Sequence, residues 1–270
     1  GNVKLARGNL QDAESGLWST FSHQQEEAQA GYYRVHLNRF AIDVELTATR
    51  RVGFHRYTFP ASSKAQIIID LEHGIDDTPT ETFVIQENDS TVSGYRTSTG
   101  WAENHTVFFT ARFSRPMQSF SVSDARQVIK SDTIPLKNAY GITRFTTSNQ
   151  EAILVKVALS PVSIANAKLN MQAELPGWDF DQTRALADQA WNQELNKIQI
   201  SARDPHILRT FYTAFYHTMV APSIYCDVNG DYFGTDRKVH SGNDFVNYST
   251  FSLWDTYRAA HPLMNLVHPE

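Results

Sequence analysis

Residues 31–60, GYYRVHLNRFAIDVELTATRRVGFHRYTFP, decide the fold of the first half of the chain. Apolar residues alternate with polar ones here, at Val35, Leu37, Ile42, Val44, Leu46, Phe54, Tyr57 and Phe59. A period of two residues is typical of half-buried strands, and the stretch is rich in the β-branched and aromatic residues that strands favour. It therefore predicts a series of short strands.

The strand pattern continues to about Leu159. Its members are apolar runs separated by Gly, Pro, Asn, Asp or Ser, and they read KAQIIIDL, TFVIQ, STVSGYR, HTVFFTARFS, QSFSVS and AILVKVALS. Pro116 ends one of them, because proline has no N–H to donate to a neighbouring strand. Many short strands, with no long helical pattern among them, predict an antiparallel β-sandwich.

The period changes to that of a helix near residue 175, so a boundary is expected at about 160–178. A first helix is predicted from about 180 to 199, with Asp179 as its N-cap and an apolar stripe at Ala187, Trp191, Leu195 and Ile198. A second is predicted to begin at Asp204 and Pro205 and to end before Pro222. Its apolar stripe comprises Leu208, Phe211, Phe215 and Met219.

The segment CDVNGDYFG contains two competing signals. The Asn229-Gly230 pair between short flanking runs predicts a hairpin with a type I′ turn. Asp227, Asn229 and Asp231 also match the start of a calcium-binding EF-hand loop. That loop needs Gly at its sixth position and Glu at its twelfth, where this chain has Tyr232 and Lys238. The hairpin is therefore the preferred interpretation.

Composition excludes several classes of function for the 270 residues. A net charge of −5 without a basic stripe argues against a nucleic-acid partner, and no apolar run reaches the roughly 18 residues of a membrane span. Cys226 is the single cysteine, which excludes an internal disulfide and a cysteine-based zinc site. Aromatic residues make up 12%, which is typical both of sugar-binding β proteins and of sheet cores.

Common catalytic motifs are missing: HExxH, GxSxG, GxxxxGK and GxGxxG do not occur. The acidic residues cannot be paired from sequence as the acid and base of a glycosidase. These residues alone indicate a sandwich followed by helices, associated with carbohydrate, and leave the reaction open.

The segment STFSLWDTYRAAHP, residues 249–262, carries the chemistry of a sugar site. The indole of Trp254 can stack on the apolar face of a pyranose, and the carboxylate of Asp255 can accept hydrogen bonds from its hydroxyls. Arg258 can donate to the same ligand or orient the carboxylate. The alternative is purely structural: a short helix from Ser249 or Thr250 to Ala260, limited by Pro262, that buries Leu253, Trp254 and Tyr257 and leaves a surface Asp–Arg pair.

The longer segment YSTFSLWDTYRAAHPL resembles a segment characteristic of glycoside hydrolase family 92, the calcium-dependent exo-acting α-mannosidases. Five further blocks resemble that family in the same order along the chain, and they read FSHQQEEAQAGYYRVHL, ELTATRRVGFHRYTFP, SGYRTSTGWAENHTVFFTARFSRP, RTFYTAFYHTMVAP and DVNGDYFGTDRKVH. Together the blocks extend over nearly the whole chain.

This resemblance implies an architecture and a set of partners. It implies a β-sandwich of the supersandwich type over residues 1–170, a helical linker over 171–203 and the incomplete start of an (α/α)6 catalytic barrel over 204–270. The expected ligand is a mannose-containing glycan, and the expected partner is the remainder of the barrel. If the barrel is incomplete, this piece is expected to be inactive alone and to self-associate through apolar helix faces.

The resemblance also implies residue roles. Trp254 and Asp255 would line the pocket for the terminal mannose, with Arg258 supporting Asp255, and Trp101 and His23 would reach it from sandwich loops. A sandwich-core tryptophan and an exposed loop histidine are the alternatives for these two. No catalytic residue and no metal ligand can be named in this chain. The complete enzyme is expected to invert the anomeric centre with the help of Ca²⁺, in the periplasm or outside a bacterial cell.

Two other functions remain open from the sequence. The sandwich and its aromatic residues would allow a stand-alone carbohydrate-binding module, although such a module does not need the helical segment from residue 204 onward. A sandwich with a helical barrel also occurs in disaccharide phosphorylases, which act on other sugars.

Overall fold

The computed structural model describes residues 16–124, 128–129, 135–242 and 244–269. A short 3₁₀ turn, His23–Gln25, precedes the first strand. The strands are β1 Glu26–Gln29, β2 Tyr32–Leu37, β3 Ile42–Ala48, β4 Val52–Phe59, β5 Ser62–Asp70, β6 Thr78–Asn88, β7 Thr91–Thr99, β8 His105–Phe113, β9 Ser119–Ser123, β10 Val128–Ile129, β11 Tyr140–Thr147, β12 Glu151–Ser160, β13 Asp231–Phe233 and β14 Val239–Ser241. The helices are α1 Ile164–Glu174, α2 Phe180–Leu195, α3 Pro205–His217 and α4 Ala260–Val267.

Two antiparallel sheets form the predicted sandwich. Within the described residues, the larger has eight strands in the order β1-β2-β3-β4-β12-β8-β7-β6, and the smaller has four in the order β10-β9-β11-β5. Strand β12 is central to the larger sheet because it pairs with both β4 and β8. Strands followed by helices confirm the predicted fold class.

The larger sheet is the middle of three layers. Successive side chains of a strand point to opposite faces, and β4 uses both faces: Phe59 packs in the core between the sheets, while Val52 and Phe54 pack against the helices. The second core is completed by Met171 of α1 and Phe180 of α2. Because both faces of the larger sheet are covered, the linker helices are part of the sandwich's own packing.

A buried lysine joins these layers. Lys156 of β12 is only 1% exposed, and its Nζ donates to the carbonyl oxygens of Leu175, at 2.8 Å, and Pro176, at 3.2 Å. The ammonium group also lies 4.1 Å from the ring centroid of Trp178. Burial, with the positive charge of Arg112 nearby, lowers the pKa of Lys156 to about 8. The carbonyls at the end of α1 thus take the place of water around this cation.

Helix α1 and strand β11 were not predicted from the sequence, for two different reasons. On α1 the positions turned toward the sheet include the polar Asn166 and Asn170 beside Ala167 and Met171, so no apolar stripe appears. Strand β11 lies between β9 and β5, and its first four residues are all buried, so alternation is absent there.

Both predicted N-caps of the later helices are confirmed. The carboxylate of Asp179 accepts a hydrogen bond from the N–H of Gln182, and that of Asp204 accepts one from the N–H of His206. Helix α2 ends at Leu195, four residues before the predicted end. A turn is present at Asn229-Gly230, but its predicted type is wrong: Gly230 alone of the pair has a positive φ, and the bonds between Asp227 and residues 230 and 231 close a three-residue loop.

Candidate functional site

The predicted sugar-binding segment enters the structure through a short backbone pairing. The N–H of Ser249 donates to the carbonyl of Ser223 at 2.8 Å, and the N–H of Tyr225 donates to the carbonyl of Asn247 at 2.8 Å. These bonds hold residues 247–249 beside residues 223–225. The position at which the segment begins is therefore set by the chain just after α3.

The helix predicted from residue 249 or 250 to Ala260 is wrong. Residues 253–259 form turns, and α4 begins at Ala260, with Pro262 in its first turn. Proline suits that place because the first N–H groups of a helix have no partner within the helix, so the missing N–H costs nothing. Pro262 therefore marks the beginning of a helix and not the end of one.

The side chains of this segment face outward. Trp254 is 86% exposed, and both Asp255 and Arg258 are exposed. The alternative in which Leu253, Trp254 and Tyr257 form a buried helix face is wrong, since all three are more than 70% exposed. The indole and the carboxylate are thus available to a ligand or to another part of a larger protein.

Trp101 lies at the tip of the hairpin between β7 and β8 and is 99% exposed, so it is not a residue of the sandwich core. The loop that carries it touches the C-terminal part of the chain. Arg237, in the turn between β13 and β14, donates from its Nη2 to Glu103 Oε2 at 2.8 Å. The ring of His105 stacks on that of Tyr225, with centroids 6.1 Å apart.

His23 lies in the 3₁₀ turn before β1, in an exposed position. Its Nδ1 is 2.6 Å from Glu26 Oε2, and Phe21 contacts its ring edge-on at a centroid distance of 5.5 Å. Glu26 Oε1 also accepts a hydrogen bond from the hydroxyl of Tyr33 at 2.6 Å. The bonds from Tyr33 and then from His23 lower the pKa of Glu26. The imidazole is thus oriented by a carboxylate of its own loop.

The structure does not bring the five predicted residues into mutual contact. Across the described ranges, no hydrogen bond, ion pair or ring contact joins Trp254, Asp255 or Arg258 to Trp101 or His23, and Asp255 makes no ion pair with Arg258. Their assignment to one pocket stays a prediction.

A buried polar cluster connects the sandwich to the later part of the chain. Asp227 is 2% exposed, and its carboxylate accepts hydrogen bonds from Ser160 Oγ at 2.7 Å, Asn166 Nδ2 at 2.9 Å and Asn170 Nδ2 at 2.6 Å. Asn166 Nδ2 also donates to Asp231 Oδ2 at 3.0 Å. Every partner donates a hydrogen bond, so the site requires an acceptor at both oxygens of Asp227.

The same cluster includes two residues of the partial EF-hand pattern, Asp227 and Asp231. Amides and hydroxyls of the protein occupy their oxygens. Hydrogen bonds from Ser241 first, then Asn166, lower the pKa of Asp231. No group of three His, Cys, Asp or Glu residues in the described chain is arranged to hold a metal ion. The partial EF-hand pattern therefore does not form a calcium loop of that type here, and it marks a structural junction.

A second junction joins the turn between β3 and β4 to α1. Glu174 Oε2 accepts hydrogen bonds from the hydroxyl of Thr49 at 2.6 Å and from the N–H of Arg51 at 2.8 Å. Glu174 Oε1 lies 2.5 Å from the guanidinium of Arg51. The Nε of Arg51 donates a hydrogen bond to the carbonyl of Cys226 at 2.6 Å. One arginine thereby links the sandwich, the linker helix and the segment that leads to Asp227.

The sandwich, the docked helices and the exposed tryptophan–aspartate pair fit a protein that interacts with carbohydrate. Residues 1–160 match the glycosyl hydrolase family 92 N-terminal domain, and residues 166–270 match the glycosyl hydrolase family 92 catalytic domain. The chain therefore belongs to glycosyl hydrolase family 92.

Solved structures agree with this membership. The family GH92 α-mannosidase BT3965 from Bacteroides thetaiotaomicron is 35% identical, with a TM-score of 0.93 over 98% of this chain and 37% of its own length. It has also been solved in complex with mannoimidazole. The family GH92 inverting mannosidase BT2199 from the same organism is 25% identical, with a TM-score of 0.80 over 92% of this chain and 33% of its own.

An uncharacterized secreted glycosidase of Arthroderma benhamiae is 24% identical over 262 residues, which cover 86% of this chain and 32% of that protein. The chain thus spans about a third of the length of these relatives. None of the helices in the described ranges is long and apolar enough to cross a membrane.

Proposed function

We propose that this chain is the N-terminal region of an exo-acting α-mannosidase that removes terminal α-linked mannose from glycans with inversion. The observation that carries the proposal is the exposed Trp254–Asp255 pair inside the segment that matches the family's catalytic domain. The relatives described as mannosidases, one of them as inverting, support it. The match to a catalytic domain favours an enzyme over a binding module, and the mannosidase relatives favour hydrolysis over phosphorolysis.

The proposed division has three parts: a sandwich over 1–170, a linker over 171–203 and the start of an (α/α)6 domain over 204–270. The first boundary, between residues 170 and 171, falls inside α1, and this helix packs on the sandwich. In this proposal the catalytic carboxylates and the remaining walls of the pocket come from further parts of a longer polypeptide. Trp254 stacks on the terminal mannose, and Asp255 accepts hydrogen bonds from its hydroxyls. Arg258, Trp101 and His23 complete the proposed substrate-binding set.

Calcium is part of the proposal for the complete enzyme, where it would bind sugar oxygens and stabilise a distorted ring. In this proposal most of its ligands come from the rest of the enzyme. The proposed location is the periplasm or the outside of a bacterial cell. The relative described as secreted supports an extracellular site.

The test is mannose release from an α-1,2-linked mannobiose by the complete polypeptide, with calcium and after chelation. We expect β-mannose as the first product by proton NMR and loss of activity without calcium. Asp255→Asn is expected to lower kcat/KM by about 10- to 100-fold, since it removes hydrogen bonds to a charged acceptor. Trp254→Ala is expected to act in the same direction.

Asp188→Asn is the matched control, because Asp188 is an exposed aspartate on α2 outside the proposed site. Its activity should equal that of the unaltered protein. If no α-mannoside is hydrolysed, or if Asp255→Asn behaves like Asp188→Asn, the proposed function is wrong.

The binding-module alternative is favoured by one observation, the full exposure of Trp101 on the sandwich. Titration with mannose or mannobiose separates the two functions. Binding that is abolished by Trp101→Ala and unaffected by Trp254→Ala would favour the module.

A further inference from the structure

The loop that carries Trp101 combines an exposed indole with side-chain contacts to the C-terminal half of the chain. The indole is 99% exposed. Glu103 and His105, two and four residues later, both contact the C-terminal half of the chain. A large exposed aromatic on a held loop is typical of a contact surface for a ligand.

Arg237 is presented by a tight turn. The N–H of Gly234 donates to the carbonyl of Lys238 at 2.8 Å, and the N–H of Arg237 donates to the carbonyl of Gly234 at 3.0 Å. Arg237 itself has φ of 63°, in the left-handed region that arginine seldom adopts. The hairpin formed by β13 and β14 therefore fixes the direction from which the guanidinium reaches Glu103.

The base of that hairpin is anchored to helix α1. Asp231, the first residue of β13, accepts a hydrogen bond from Asn166 of α1, and the buried Asp227 lies four residues earlier. The contact between Arg237 and Glu103 thus completes a series of contacts that runs from α1, through the hairpin, to the sandwich loop.

We propose that Glu103 and Arg237 are positioning residues whose ion pair sets the place of Trp101 relative to the catalytic part of the enzyme. This inference rests on the proposed function, in which Trp101 contacts the sugar. The two side chains are 78% and 64% exposed, so solvent screening leaves the pair little weight in overall stability. Its consequence is therefore expected in substrate binding and not in folding.

The test uses charge reversal in the complete polypeptide. Glu103→Arg and Arg237→Glu each place two like charges at the contact, and we expect each to raise KM about threefold to fivefold with kcat within twofold. The double reversal restores an opposite pair and is expected to return KM to within about twofold of the unaltered value. In a Trp101→Ala background, Glu103→Arg is expected to have no further effect, because the pair acts through the indole.

The matched control is the ion pair between Lys168 of α1 and Glu87 of β6, at 2.6 Å, which also joins the linker helix to the sandwich. Glu87→Lys and Lys168→Glu should leave KM unchanged. Hydrogen exchange of residues 100–105 is the readout independent of activity. We expect faster exchange in each single reversal and recovery in the double reversal.

The outcomes separate the two proposals. If Trp101→Ala raises KM while both single reversals leave KM and exchange unchanged, the positioning role is wrong and the proposed function stands. If KM does not recover in the double reversal, or if Glu103→Arg adds to the effect of Trp101→Ala, the positioning role is also overturned. If no mannoside is hydrolysed, the proposed function fails, and unaltered exchange in the single reversals would then overturn the positioning role independently.

Discussion

The junction between the sandwich and the helices differs sharply from the segment of residues 249–269. At the junction, Asp227, Asn170 and Lys156 are buried and Glu174 is part-buried, and each has partners on other elements. In the later segment, Leu253, Trp254, Tyr257 and Leu266 are 73–86% exposed. Buried polar groups must be satisfied, and so they specify one arrangement. The polar contacts of the junction therefore specify one arrangement, whereas the predicted ligand-binding surface is exposed to solvent.

The largest expected effect comes from breaking the junction at Asp227. Asp227→Ala leaves the buried donors of Ser160, Asn166 and Asn170 without their acceptor. Each unsatisfied buried group costs about 1–3 kcal/mol, so the free energy of unfolding should fall by about 3 kcal/mol or more. Urea-induced unfolding, followed by tryptophan fluorescence, measures this loss.

Asp236→Ala is the control for that experiment. Asp236 lies in the turn of the next hairpin, where it is exposed and pairs with His240 at 2.8 Å. Exposed pairs contribute little to stability, so the loss should be much smaller than that of Asp227→Ala. Equal losses in the two variants would show that the Asp227 cluster is not the firm part of the junction.

An intermediate effect is expected at Lys156, as a dependence of stability on pH. Its pKa is about 8 in the folded chain and 10.5 as an ordinary value. The unfolded chain therefore binds more protons between these values, and stability rises with pH across this window. Lys156→Met removes the titrating group, so the difference in Tm between the unaltered chain and the variant should change between pH 8 and 9.5.

Taking a difference is necessary because tyrosines with raised pKa values act in the opposite sense. Burial first, and then other contacts where present, raise the pKa of Tyr32, Tyr57 and Tyr95 to about 12. Their contribution is lost as pH rises above about 10, when the unfolded tyrosines ionise. Lys168→Met, on the surface of α1, serves as the control and should show a constant difference. A constant difference for Lys156→Met as well would contradict the assigned pKa.

The smallest effect on stability is expected in the open segment. Leu266 is 81% exposed on α4, so Leu266→Ser should change the free energy of unfolding by less than about 0.5 kcal/mol. Binding of a hydrophobic dye by residues 1–270, expressed as such, should decrease in the same variant. A large loss of stability would mean that Leu266 is packed in solution, and the contrast between the two regions would disappear.

The fold was predictable where burial follows a simple period. In β4, Val52 and Phe54 pack toward the helices, and Tyr57 and Phe59 pack toward the core between the sheets, each pair two residues apart. The residues Asp179 and Asp204 correctly predicted the starts of the helices that they cap. Helix α1 was not predicted, because its buried positions include the polar residues Asn166 and Asn170. Prediction also failed at Pro262, because a proline is compatible with the first turn of a helix as well as with its termination.

The candidate site was predictable only in part. The residue types of Trp254 and Asp255 identify sugar chemistry, and their exposure agrees with binding, but the group that they would form with Trp101 and His23 stays a prediction. Asp227 was visible in the sequence as part of a partial calcium motif. Its actual partners lie 57 to 67 residues away, so no pattern in the neighbouring sequence predicts them.

The turn between β3 and β4 has a consequence for how this chain can vary. Turns between adjacent strands are usually the places where a protein family gains or loses residues. Here Glu174, at the end of α1, binds the hydroxyl of Thr49 and both the backbone and the side chain of Arg51. These contacts can form together only if the turn keeps its present length. One added residue would move those donors away from the carboxylate and from Cys226. Length variation in the sandwich should therefore concentrate in other loops.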